Sequence, residues 1–301
     1  MTLAPIVLFV YNRPAHTRRT VEALLKNEEA KESDLIVYSD APKKPETADA
    51  VREVRDYIRT ISGFRSIRIV ERDRNWGLAN SIIDGVTTVV NEYGRIIVLE
   101  DDLVVTPHFL EYMNRALECY KNDEKVMHVS GYMFPVDSSG LLETFFLRTA
   151  SCWGWATWDR AWRYFEKDTQ SLLNEFKEQT IYRFNLDGTY DFWSQVEKNA
   201  KGKIDTWGVF WYASIFRKGG LCLHPKFSMV NNIGHDDSGV HCAGTDRFTV
   251  ELVNSHITYF VNNLVEDKLA LERTRAFFSP PPPSFTSRVL HALRNRLFHN
   301  Q

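Results

Sequence analysis

Three consecutive carboxylates, Glu100-Asp101-Asp102, close the apolar run IIVL at residues 96–99. Like charges this close repel one another unless a cation or hydrogen-bond donors offset them. Hard oxygen ligands of this kind suit magnesium or manganese, with water and substrate phosphates completing the shell. The plainer alternative is that Glu100 and Asp101 cap a turn or the helix that follows. Polar residues also stand where other apolar runs end. Arg13 follows the run at residues 6–10 and can pair with phosphate or approach a base edge. Asp40 follows the run at residues 35–38 and can accept from a base or a ribose hydroxyl. The stretch RDRNWGLAN, ending at Asn80, leads into a helical segment whose N-terminus can hold anionic groups.

These groups can converge only if the runs before them are parallel strands. The runs at residues 6–10, 35–38, 67–70 and 96–99 recur about every thirty residues, the length of a βαβ unit. Apolar residues on consecutive positions point to both faces of a sheet, as in buried parallel strands. Helical periodicity fills the gaps at residues 17–26 and 78–93. The expectation is an α/β doubly wound half, whose ligands bind beyond the carboxyl ends of its strands. A Thr106-Pro107 start signal opens a further helix running to about residue 121. Beyond it, residues 126–134 and 145–147 read as strands, 159–165 and 207–218 as helices, and 221–230 as a strand or hairpin. Residues 231–246 (NNIGHDDSGVHCAGTD) read as a long polar loop.

The run Trp153-Gly154-Trp155-Ala156-Thr157-Trp158 has no clean period, which favours a loop offering ring faces to a sugar or acceptor over packed core. Trp207 is the member of the helix at 207–218 expected to line the pocket. In the polar loop, His235 and His241 can touch metal or pyrophosphate. No G-x-G-x-x-G and no P-loop occurs, which argues against a dinucleotide cofactor and a P-loop nucleotidase.

Composition narrows the class. The 301 residues are 44 % apolar and 25 % charged, ordinary for a globular chain, with a net charge of −2. That balance provides no global field for nucleic acid, so no nucleic-acid partner is expected. Four cysteines lie far apart with no C-x-x-C pair, suiting a reducing compartment and a cytoplasmic address. The N-terminal stretch reads as a buried strand, not a signal peptide, and no run of about 18 apolar residues suggests a membrane span. SPPPPS at residues 279–284 is a polyproline spacer. The basic amphipathic segment RVLHALRNRLF beyond it, at residues 288–298, suits an anionic membrane surface or a partner groove, or a helix docked on its own domain.

The chain resembles the GT-A nucleotide-sugar glycosyltransferases, most closely the inverting N-acetylglucosaminyltransferase I family and its bacterial relatives in surface-polysaccharide synthesis. The stretches that carry the resemblance are PIVLFVYNRP, LIVYSD, NWGLANS, RIIVLEDDLVVTPHFLEYM, SCWGWATWDRAW and IDTW, spread over residues 4–245. It implies an α/β GT-A domain over residues 1–278, with a nucleotide-sugar-binding half (1–130) and an acceptor half (131–278), followed by the 279–301 tail. It further implies that Asp102 ligates manganese or magnesium on the donor diphosphate, that Asp101 and Glu100 contact ribose and sugar, and that Arg13 and Asp40 bind uridine. The family's base is an Asp shortly before a Trp. Asp205 is the match, though the paired acids of the family read Asp205-Thr206 here, with Asp191 and Asp236 as substitutes. By the same comparison, the loop with Gly234 and His235 orders over bound donor as a lid, with Gly234, Gly239 and Gly244 as its hinges.

The function expected is transfer of a sugar, GlcNAc among the candidates, from a UDP-sugar to a saccharide or lipid-linked saccharide, at the inner face of the membrane if residues 285–301 bind it. A nucleotidyltransferase making activated sugars is the first competitor, but its glycine-rich loop is missing at residues 12–17 (NRPAHT). A non-catalytic sugar-binding module is the second.

Overall fold

A computed structural model describes residues 3–236 and 247–279. The first half alternates as the thirty-residue beat requires. β1 (Ile6–Val10), α1 (Pro14–Leu24), β2 (Asp34–Ser39), α2 (Ala48–Ile58), β3 (Ser66–Glu71), α3 (Leu78–Tyr93) and β4 (Arg95–Glu100) follow one another. β1 is buried along its whole length, with Ile6, Leu8 and Val10 in one core cluster and Val7 and Phe9 in another. The two clusters are the two faces of the sheet, as period-two alternation demands. β3 departs from the expectation of a strand buried on both faces. It is the sheet's edge, and Ser66, Arg68 and Glu71 are exposed. Charges on an edge strand discourage pairing with other chains.

The rest of the chain extends the same sheet. β5 (Leu103–Val105), α4 (Phe109–Cys119), β6 (Val126–Ser130), β7 (Thr144–Leu147), β8 (Trp155–Trp158), α5 (Asp159–Trp162), α6 (Thr169–Glu175), α7 (Glu178–Phe184), α8 (Trp193–Ala200), α9 (Gly208–Arg217), β9 (Leu221–Pro225), β10 (Val230–Asn232) and α10 (Lys268–Phe278) complete the order. The main sheet has eight strands in the order β3-β2-β1-β4-β8-β6-β9-β7. β3, β2, β1 and β4 run parallel, and β8 enters antiparallel to both β4 and β6. Helices cover this mixed sheet, which gives the α/β class read from the sequence.

Two local expectations are corrected and one pair of alternatives is decided. The helix expected from Thr106-Pro107 begins at Phe109, because Thr106 still belongs to a small ribbon. β5 pairs antiparallel with β10, and the Thr106 N–H donates to the Met229 carbonyl at 2.9 Å. Of the strand or hairpin read over residues 221–230, the strand is present as β9 in the main sheet, and the hairpin is not formed because β10 joins β5. The Trp155–Trp158 run is strand β8, with Trp155 0 % and Trp158 4 % exposed. Trp155 packs on one face with Trp162, Trp207 and Trp211, while Ala156 and Trp158 pack on the other. Burial on both faces hid the period. α10 was not anticipated. Before it, residues 247–266 form a strap without regular secondary structure that packs Ile257 and Val261 into the main core.

Among the described residues no helix is long and apolar enough to cross a membrane. Cys119, Cys152 and Cys222 are free thiols. The expected lid positions Gly239, His241 and Gly244, together with Cys242, the prolines at 280–283 and the segment at 285–301, lie outside the described residues.

Candidate active site

β1 and β4 pair in parallel with Phe9 opposite Glu100, so the residues just past both strands emerge side by side. Arg13, at the start of α1, turns its guanidinium onto the acids. Its Nη2 donates to Asp101 Oδ1 at 2.6 Å and to Asp102 Oδ2 at 2.8 Å. The Tyr11 N–H donates to Asp101 Oδ2 at 3.3 Å, and the Thr20 hydroxyl donates to the Asp101 carbonyl at 2.8 Å. One guanidinium thus faces three carboxylates. Burial pushes the Glu100 carboxyl up to about 8, with the charges of Asp102 and Asp101 adding to it. Burial likewise pushes Asp101 up to about 6, against the opposing pull of Arg13. For Arg13, burial lowers proton affinity, but Asp101 and Asp102 outweigh it and hold the group above its ordinary value. The site therefore carries more negative charge than its own cation offsets.

A roof lies over the acids. The Ile233 N–H donates to the Asp102 carbonyl at 2.8 Å, and Asn232 Oδ1 accepts from the Gly234 N–H at 2.7 Å. A Cβ at Gly234 would stand 2.2 Å from Asp102 Oδ2 and 2.8 Å from Arg13 Nη1, so only glycine fits. His16, one turn after Arg13, holds this roof through Ile233 O at 3.3 Å and Asp236 at 3.1 Å. The sequence reading missed His16, although its i, i+3 spacing from Arg13 places both on one face of α1. His235 packs between Trp153, edge to face at 5.4 Å, and Phe248, stacked at 6.0 Å. Its two ring nitrogens are buried without a hydrogen-bond partner among the described residues. Trp153, Gly234 and His235 are thus brought together beside the trio.

Other expected site residues take structural roles in this arrangement. Asp40 is 6 % exposed, and its carboxylate accepts four hydrogen bonds, from the N–H groups of Ala41, Trp76 and Gly77 and from Asn75 Nδ2. Its acceptor positions are filled in shaping the 75–77 loop, so none faces a base or ribose. Asn80 Nδ2 donates to the Trp76 carbonyl at 2.9 Å on the exposed side of the same loop. A cleft of about 640 Å³ opens there, lined among others by Arg74, Trp76, Asn80 and Asp84. Trp155 and Trp207 stack on each other in the core at 5.3 Å and form no open wall. The pairing follows from β8 being a sheet strand, not a loop.

The candidate bases are also placed. Asp191 accepts from the Ser194 N–H at 3.1 Å and from Asn185 Nδ2 at 3.3 Å, beside the start of α8. Asp236 belongs to the roof through His16. Asp205, 61 % exposed at its side chain, is ion-paired with Lys167. Just beyond it, the start of α9 meets Cys152. A Cβ at Gly208 would stand 2.9 Å from Cys152 Sγ, and the thiol of Cys152 is pushed up by burial and by the charge of Glu100. The N-terminus of α9 therefore abuts a residue that feels Glu100 directly.

Residues 6–137 match the sequence profile of Glycosyl transferase family 2. A search of curated proteins returns no match. Among solved structures, mannosyltransferase PcManGT from Pyrobaculum calidifontis in complex with GDP-Man and Mn2+ is 11 % identical at a TM-score of 0.40, over 72 % of this chain and 69 % of that one. S. aureus TarS is 11 % identical at a TM-score of 0.29, over 42 % of this chain and 21 % of that one, so this chain spans about a fifth of TarS. The family match displaces the nucleotidyltransferase reading, and the helix-flanked mixed sheet is of GT-A type. Over residues 6–137 the chain is similar to Glycosyl transferase family 2, and it is a glycosyltransferase.

Proposed function

We propose that the chain is an inverting, divalent-metal-dependent glycosyltransferase that moves a sugar from a UDP-sugar to a saccharide or lipid-linked saccharide hydroxyl in polysaccharide synthesis. The observation that carries this reading is the Glu100-Asp101-Asp102 trio at the end of β4, which among the described residues is opposed by Arg13. Its donors fit manganese or magnesium. They are hard oxygens with uncompensated charge, and Asp102 Oδ1 has no hydrogen-bond partner among the described residues. Asp102 would hold the ion, which when bound supplies Lewis-acid stabilisation of charge developing on the leaving diphosphate.

The chain's own residues do the rest. Arg13, 18 % exposed at its side chain, is the cation within reach of a donor phosphate at this strand end. Glu100 and Asp101 orient ribose and sugar, and Asp40 with Asn80 holds the loop beside them. Gly234 and His235 close over the donor, and Trp153 offers the sugar or acceptor a ring face. Asp205, once freed from Lys167, accepts the proton of the attacking hydroxyl on its carboxylate, a contribution of roughly 10²–10⁴ in rate. On this reading residues 1–130 hold the donor and 131–278 the acceptor. The stretches NWGLANS and IDTW support closer kinship with the N-acetylglucosaminyltransferase I family, and hence GlcNAc as a donor sugar. The amphipathic segment within 285–301 supports attachment at the cytoplasmic face of a membrane. Its deletion is expected to reduce association with anionic liposomes while soluble turnover is kept.

The experiment that tests the central claim is a thermal-shift screen of nucleotide sugars with and without manganese. A stabilisation requiring both the metal and one particular donor, and lost in Asp102→Asn, is expected. A donor-dependent shift indifferent to metal and to that substitution would refute it.

A further inference from the structure

A second group of metal-ligating side chains lies on α4, outside the acidic trio and its roof. His108 directly precedes α4, and Glu111 follows three residues later on the same face. His256 arrives from the strap at 247–266. His256 Nδ1 lies 2.8 Å and His108 Nδ1 3.7 Å from the same oxygen, Glu111 Oε2. The two imidazoles lie against each other with ring centroids 3.5 Å apart and planes tilted by 37°. One ligand atom from each residue falls within 4.8 Å of the other two. Ligand atoms about 2.0–2.1 Å from a tetrahedral zinc stand roughly 3.3–3.4 Å apart, which the two distances to Oε2 bracket.

The surroundings hold this geometry in advance. Arg115 Nη1 donates to the other carboxylate oxygen, Glu111 Oε1, at 3.3 Å and to the Ile257 carbonyl at 2.7 Å. It thereby orients Glu111 and fixes the strap next to His256, as an outer-shell partner does. The Tyr120 hydroxyl anchors the strap again through the Val261 carbonyl at 2.7 Å. Glu29 lies near enough to feel the charges of both Glu111 and His108.

We propose that His108, Glu111 and His256 form a binding site for a zinc-class divalent transition metal that clips the 247–266 strap onto α4. Two imidazoles and one carboxylate are a donor set for zinc, with a water in the fourth position, whereas the all-oxygen trio at Asp102 suits manganese or magnesium. The clip is independent of the donor site, so either assignment can fail without the other. Its effect reaches toward the roof, because the same strap carries Phe248, the ring stacked on His235.

The test is calorimetric titration of chelator-treated full-length protein with zinc chloride, in the wild type, His256→Ala and Asp102→Asn, with melting curves for each. His256 is exposed, so the metal-free melting temperature of its variant should match the wild type. Expected is one zinc site present in the wild type and in Asp102→Asn. In His256→Ala its affinity should fall roughly tenfold or more, with zinc raising the melting temperature only where the site survives. Should the fold of His256→Ala change, His108→Gln gives the same comparison. Wild type and His256→Ala titrating alike, or zinc binding lost in Asp102→Asn alone, overturns the proposal.

Discussion

Gly234 lies so close above Asp102 that a side chain of even one carbon would stand 2.2 Å from the carboxylate oxygen Oδ2. Roof and acid lie far apart in the sequence, yet no side chain intervenes between them. Gly234→Ala is therefore expected to lift the roof, at a cost of about 1–3 kcal/mol from overpacking. Chemical denaturation should show that loss, together with weaker donor-dependent stabilisation. Wild-type stability in the variant would mean the roof sits higher than described.

Arg13 is the second point at which the site can be broken. Removing one partner of a buried ion pair leaves the others uncompensated, typically at a cost of about 3–5 kcal/mol. Arg13→Met should destabilise the metal-free protein on that scale, with manganese restoring part of the loss by neutralising the trio. Urea melts with and without manganese check this. An unchanged midpoint without metal would show that the acids need no cation in cis.

Asp205 and Asp236 make opposite predictions. If Asp205 takes the acceptor proton, Asp205→Ala should keep donor-dependent thermal stabilisation while transfer falls roughly 10²–10⁴-fold. Asp236→Ala should instead loosen the roof through His16 and weaken donor retention. Transfer and donor-hydrolysis assays on both variants separate the two roles, and unaltered transfer in Asp205→Ala would move the base elsewhere.

The core supplies a pH prediction. His128 is buried and neutral. Trp211 Nε1–H donates to its Nδ1 at 3.1 Å, leaving Nε2–H to donate to the Ser151 carbonyl at 3.0 Å. Burial pulls its pKa down to about 3, and burial pulls that of His224 to about 4. Unfolding lets both take protons at ordinary histidine values near 6.5, so the unfolded state binds more protons below that pH. Stability should be full above about pH 6.5 and fall as pH drops toward 4, by up to about 1.4 kcal/mol per pH unit for each histidine. His128→Gln should flatten that slope by about one proton between pH 6 and pH 4 in denaturant titrations. A slope identical to the wild type would show that His128 is protonated in the fold.

The parts of the fold legible in the sequence are those governed by neighbours in the chain. The beat of apolar runs fixes β1, β2 and β4, and α3 falls on the same residues, Leu78–Tyr93, as its periodicity, closed by left-handed Gly94. The acids stand out because three charges at the end of a buried strand are locally anomalous. What escaped depends on partners distant in sequence. Trp155 looks like loop until β4 and β6 are seen on either side of it. Asp40 looks free until the 75–77 loop folds onto its carboxylate. Gly234 reads as a hinge, whereas its contact with Asp102 also makes it a spacer. Edge position, which left β3 half exposed, is a property of the assembled sheet, and its mark in the strand is the alternation of Ser66 and Arg68 with apolar residues, ending at Glu71.

The insertion of β8 between β4 and β6 has a consequence for dissecting the protein. The family-matched segment stops at residue 137, before the strand that shields β4. A fragment ending there would present the backbone of β4, apolar from Ile96 to Leu99, as a raw seam beside the acids. Such seams recruit strands from other molecules. Truncation at the family boundary should thus yield an aggregating polypeptide, and excision of the donor half must carry the tryptophan strand along.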